Sequence, residues 1–182
     1  SYAHELRPAI ANLNIYEKDN IINATLSIRL NLEAIIAEVN MDHSNTEESK
    51  ESDQYENLRT MGAVELLKKF NSKITNLQNK IYLTSTNSNY SLALLNVDIP
   101  EVGNTKIIRD TIINFDIKNI KNEDLKFSWD KNLGSIILRV NSKSNEGLYS
   151  KLIESGDKSD WFSITNKREE RLIDNVKSYI QL

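Results

Sequence analysis

The only two imidazoles in the chain both stand beside carboxylates, His4 next to Glu5 and His43 next to Asp42. A histidine with a neighbouring acid is raw material for metal binding or for general acid–base catalysis. Helical zinc-protease chemistry needs a second His four residues after the first, and that position is Pro8. His43 opens an acidic run through Glu47, Glu48, Glu51 and Asp53. The alternating acids and central Gly of a calcium loop are missing from it, so it reads as solvated chain. Glu169-Glu170 is a paired carboxylate set among Lys167, Arg168 and Arg171, which reads as a charged turn. Cysteine is absent, which excludes disulfides, thiol nucleophiles and thiolate metal sites. There is no phosphate-cradling Gly-Lys-Ser/Thr loop and no Gly-x-Ser-x-Gly elbow. The expectation is a non-enzymatic protein with no catalytic, cofactor-binding or metal residues.

The bulk composition agrees with that reading. A net charge of −3 with no broad basic stripe argues against nucleic acid as the main ligand. No apolar stretch approaches the length of a membrane span, and no signal peptide is visible. An opening Ser1 in place of Met raises the expectation of a processed chain whose anchor lay upstream. Trp129, Trp161 and Phe162 read as core or interface aromatics of strands. Tyr16, Tyr82, Tyr90 and Tyr179 form no patch.

The elements that would carry such a surface follow from periodicity. From Ile22 to Leu32 every second residue is apolar, the pattern of a strand with one buried face. Asp19-Asn20 sits where a hairpin would turn back to Leu13–Tyr16. Ala3 to Ala11 reads as a short helix. Residues 33–40 fit either a strand extension or a helix start, and residues 41–54 read as a mobile acidic loop. Tyr55 to Leu77 reads as one long helix, with Leu58, Met61, Val64, Leu67, Phe70, Ile74 and Leu77 in a stripe. Ile81–Thr86 and Tyr90–Ile99 read as a second hairpin.

Residues 125–141 repeat the design of 13–32, with Ile28-Arg-Leu-Asn31 falling on Leu138-Arg-Val-Asn141. This second half reads as a helix from Asn104 to Phe115 and a hairpin of Leu125–Trp129 with Ile136–Val140. A helix from Asn145 to Gly156 and strands at Trp161–Thr165 and Asn175–Leu182 would complete it. The expected fold is α+β: two tandem ferredoxin-like units, antiparallel sheets with helices packed on one face, over residues 1–99 and 103–182.

The second half resembles the periplasmic domain of the inner-membrane assembly-platform proteins of type IV pili and type II secretion, the PilN, PilO, GspL and GspM group. The matching residues are Leu125-Lys-Phe-Ser-Trp-Asp-Lys-Asn-Leu-Gly-Ser-Ile-Ile-Leu-Arg-Val, then Ser144-Asn145 opening a helix through Leu152, then Ser159-Asp-Trp-Phe162. In the first half, Lys80-Ile-Tyr-Leu-Thr-Ser85 is similar to the strand after that family's long helix. The resemblance implies a structural subunit in protein transport, a periplasmic domain of an inner-membrane protein. It would act as a homodimer, or as a heterodimer with a related platform protein, alongside other pilus or secretion subunits, with neither nucleic acid nor cofactor.

Sheet edges are the natural docking surfaces of such a fold. Tyr90, Leu92, Leu94, Val176, Ile180 and Leu182 are therefore the interface candidates. One alternative is a coiled-coil-tethered α/β interaction module of another complex, such as a kinetochore-type subunit. The other is a histidine phosphotransfer protein, because His4-Glu5-Leu6-Arg7-Pro8 resembles the phospho-acceptor box of sensor kinases. That box has a small residue between Arg and Pro which this chain lacks, and no Gly-rich ATP lid is present.

Overall fold

The computed structural model describes residues 7–42, 51–165, 176, 179 and 180. The strongest alternation in the sequence becomes a long hairpin of β1 (Ala9–Lys18) and β2 (Ile21–Leu30). Its two-residue turn places Asp19 and Asn20 at φ 54° and 62°. Both are left-handed, as a turn matching the right-handed twist of the strands requires, and Asp and Asn tolerate it better than most residues. Ala24, Leu26, Ile28 and Leu30 point inward as the period of two demands.

Further helices and strands follow among the described residues up to Ile153. They are α1 (Leu32–Ile36), α2 (Glu51–Arg59), α3 (Ala63–Asn71), α4 (Ile74–Gln78), β3 (Ile81–Thr84), β4 (Asn89–Tyr90) and β5 (Ala93–Asp98), then β6 (Thr111–Ile120), β7 (Lys126–Trp129), a single 3-10 turn at Lys131–Leu133, β8 (Ile136–Ser142) and β9 (Tyr149–Ile153). The large sheet has six strands in the order β5-β6-β2-β1-β8-β9, and β4-β3-β7 form a small sheet. Every pairing in the large sheet is antiparallel except β1 with β8, so it is mixed.

One buried cluster joins the inner face of the large sheet (Leu13, Leu26, Ile113, Phe115, Leu138) to Leu66 and Phe70 of α3, Leu77 of α4, and Leu83 and Phe127 of the small sheet. Each fully buried Leu or Phe contributes about 1.5–3 kcal/mol of hydrophobic stabilisation. The opposite face of the large sheet is polar. It carries Asn12, Asn14, Asn114 and Asn141, with Asn114 Nδ2 donating to Asn96 Oδ1 at 2.8 Å.

The class is α+β, as expected, but the two tandem units are not what the strand pairing gives. The loop around residues 99–110 joins β5 to β6, which are neighbours in one sheet drawn from both halves of the chain. The expected helix from Asn104 to Phe115 is instead loop followed by β6, whose Thr111, Ile113, Phe115 and Ile117 alternate into the core. Ile107, Ile108, Ile112 and Phe115 happen to fit helical spacing too, yet Ile107 lies exposed.

The stretch expected as a helix from Asn145 contains β9, an antiparallel partner of β8. Leu125–Trp129 and Ile136–Val140 do not pair with each other: β7 joins β3 in the small sheet, whereas β8 lies between β1 and β9. The repeated Ile-Arg-Leu-Asn and Leu-Arg-Val-Asn segments flank the same strand, β1, one antiparallel and one parallel.

The long helix breaks in three. Gly62 takes an extended conformation as the N-cap of α3, and Lys73 separates α3 from α4. Leu66 takes the core position on α3, while Val64 is exposed. Ala9–Ala11 belong to β1 and not to a helix, because Ala9 N donates to Ser135 O at 3.1 Å and the segment pairs with β8. Trp161–Thr165 contributes only an isolated bridge, Leu125 to Phe162. Val176, Tyr179 and Ile180 are helical, not extended. Residues 43–50, most of the expected acidic loop, lie outside the described residues, and Glu51–Gln54 belong to α2.

Candidate functional site

The interface candidates fall in three places. Tyr90 ends β4, half-buried, its hydroxyl accepting from Lys121 N at 3.1 Å. Leu92 is half-buried just before β5 and Leu94 lies on β5, 39% exposed. Val176 and Ile180 are exposed and helical, and Leu182 lies outside the described residues. Strand β5 is an edge of the large sheet, so one side of its backbone has no strand partner among the described residues. A bulge between Leu94 and Asn96 leaves Leu95 as the extra residue, 55% exposed. Leu92 and Leu94 thus lie at the β5 edge while Tyr90 belongs to the small sheet, and Leu95 escapes simple alternation because of the bulge.

A buried ionic cluster was not foreseen. Glu33 is 1% exposed at the start of α1, with Arg109 Nε 3.2 Å from its Oε1. The contact is ionic without hydrogen-bond alignment, for neither Glu33 oxygen accepts a hydrogen bond. Burial pushes the Glu33 carboxyl above the usual range, against the pull of the Arg109 and Arg59 charges. The Arg109 guanidinium donates to the carbonyls of Leu58, Arg59 and Met61 at the end of α2, and to Pro100 O. In return Arg59 donates to Ile107 O at 3.1 Å and lies over the Tyr55 ring. Two arginines therefore fasten the 99–110 loop to α2 from opposite sides. The sequence signal was a lone charge, Glu33, inside the apolar run Leu32–Ala37.

A cavity of about 310 Å³ opens between the end of α1, α4 and the Lys131–Leu133 turn. Its apolar lining is Ile35, Val39, Met41, Leu77 and Leu133, and Glu38, Asn76, Asn132, Lys73 and Lys80 supply the polar part. Helix α1 closes with Glu38 at φ 56° while Val39 N donates to Ala34 O and Glu38 N to Ile35 O. This is the left-handed helix stop that usually takes Gly, so a Glu there stores local strain. Beyond it the chain is strapped to the turn: Met41 N donates to Asn132 O at 2.9 Å, and Lys131 Nζ meets Asp42 at 3.2 Å. Gly134, at φ 85°, lets Met41 O come so close that a Cβ there would sit 2.9 Å from it.

A fourth cluster is exposed. Tyr149 Oη and Lys151 Nζ both donate to Asp160 Oδ2, at 2.9 and 3.1 Å. Beside it Trp161 is half-exposed, with Lys126 Nζ 4.5 Å from its ring centre. Those donors hold the Asp160 carboxyl below the usual range, Lys151 first and Tyr149 second. His4, His43, Glu169 and Glu170 lie outside the described residues. Among the described residues no group of three His, Asp or Glu is placed to hold a metal ion, and no helix is long and apolar enough to cross a membrane.

No protein-family model and no curated protein matches the chain.

Proposed function

We propose that this protein works by docking, with the β5 edge as its contact and a second copy of the chain as the occupant. The observation that carries the reading is the apolar edge itself: an outer strand presenting Leu94 and Leu95 beside an unpaired line of backbone donors and acceptors. Such an edge is a template for strand addition, and two copies meeting there would share one continuous sheet about a two-fold axis. The bulge at Leu95 restricts which partner can register on it, because the extra residue interrupts regular pairing.

A subunit of a pilus or secretion assembly platform, as a periplasmic domain of an inner-membrane protein, is the narrower form of this proposal. Of the residues on which that resemblance rests, Lys80–Ser85 keeps its strand as β3, directly after α4. The helix expected from Ser144-Asn145 is not formed, and that stretch is instead bend and turn leading into β9.

Light scattering coupled to gel filtration tests the broader role. The expected result is a dimer at micromolar concentration, and a monomer with unchanged circular dichroism for Leu94→Lys/Leu95→Lys. A monomeric parent at the highest soluble concentration, or a dimer indifferent to the double substitution, rejects this edge.

A further inference from the structure

The cavity beside α4 is built as a ligand site, independent of the β5 edge. We propose that it binds a small aliphatic carboxylate, with the tail against Ile35, Val39, Leu77 and Leu133 and the headgroup on Lys80. Three observations converge. The volume, about 310 Å³, lies at the lower end of the roughly 300–1,000 Å³ common to small-molecule sites. The apolar part of the wall carries no aromatic ring, which suits a chain better than a planar ligand, and Glu38, Asn76 and Asn132 complete the lining beside the two lysines.

The charge at the margin is unbalanced. Lys73 Nζ is already engaged, donating to Ile36 O at 2.9 Å and facing Glu38 at 3.4 Å. Lys80, half-buried on the same margin, makes no hydrogen bond or ion pair through its ammonium among the described residues. With Glu38 cancelling Lys73, one positive charge remains, and it calls for a monoanion. A neutral chain would leave that ammonium without a counter-ion, and a short acid such as acetate would leave the apolar wall wet.

The walls are fixed in advance, which limits the entropy lost on binding. Asp130 N donates to Lys80 O at 2.9 Å, holding the backbone of Lys80 against the turn, and Met41 N on Asn132 O holds the facing strap.

Calorimetric titration of the full chain with decanoate, decanol and acetate reads out the proposal, each used below any micelle-forming concentration. Decanoate is expected to bind, decanol about tenfold or more weakly, which corresponds to about 1.4 kcal/mol, and acetate not at all. Lys80→Gln should weaken decanoate by about the same factor and leave decanol unchanged, while Lys80→Arg keeps the decanoate affinity. Val39→Trp should abolish binding of both chains, with circular dichroism confirming the fold. Equal affinity for decanoate and decanol, indifference to Lys80→Gln, binding that survives Val39→Trp, or no heat up to millimolar decanoate would each overturn it.

Discussion

Glu33 and Asp160 are two carboxylates each facing a cation, at 3.2 and 3.1 Å, and they behave in opposite ways. Glu33 is sealed between α1, α2 and the 99–110 loop, and its pKa is raised because burial outweighs two arginines. Asp160 is exposed, and its pKa is lowered because the Lys151 and Tyr149 donors outweigh the little desolvation that opposes them. Distance alone therefore says little about an ion pair. What decides is how much water the carboxylate gave up and how many donors replaced it: none aligned for Glu33, two for Asp160.

The sharpest way to break the comparison is to remove a cation on each side. Arg109→Ala should cost about 3–5 kcal/mol of unfolding free energy, because it takes the nearest cation from a buried carboxylate and removes a guanidinium that four carbonyls share. Lys151→Ala should shift the urea midpoint far less. Arg109→Lys refines the point: a lysine restores the charge but not the planar fan of donors, so it should recover only part of the loss. If Arg109→Ala unfolds no more easily than Lys151→Ala, the buried cluster does not hold the loop.

Neutralising the acids gives a smaller effect with a more telling sign. A carboxyl whose folded pKa stands above its unfolded value binds more protons when folded. Its contribution to stability is complete below the unfolded pKa and is lost as pH rises through the folded one. Glu33→Gln should therefore gain on the parent as pH rises from the acid range to neutrality, read as the difference in urea midpoint. A difference that falls over that interval would mean that the arginines outweigh burial after all.

Neither cluster was legible in the sequence, whereas some of the elements around them were. The β1–β2 hairpin was legible because alternation and the Asp19-Asn20 turn are local and agree. The α3 break was signalled by Gly62, but the stripe of apolar residues continued across it and masked it. Strand β6 was misread because four apolar residues fit both periods, and only pairing with β2 and β5 chooses between them. The parallel contact of β1 with β8 joins distant segments, so no window of sequence reports it. The Glu33–Arg109 cluster and the cavity share that origin, since each draws its walls from segments that meet only after the sheet closes. Leu94 was placed on an apolar strand, and that strand is β5, although the bulge that exposes Leu95 was not visible.

Asp160→Asn should give the least change of all and the opposite slope. A carboxyl with a lowered folded pKa contributes stability above its unfolded pKa and loses it as pH falls through the folded one. The parent should exceed the variant slightly at neutral pH, and the two should converge as the acid range is entered. Because Asp160 and Lys151 are exposed, added salt should shrink the neutral difference as well. The Glu33→Gln difference should resist salt, since little solvent reaches it. Urea midpoints of both variants against the parent, at two pH values and two salt concentrations, separate the cases. A salt-insensitive Asp160 would show that Tyr149, whose hydroxyl also accepts from Asp160 N at 3.1 Å, holds the carboxylate by hydrogen bonding and not by charge. A salt-sensitive Glu33 would show that water reaches the cluster and that the contrast between the two sites is one of degree.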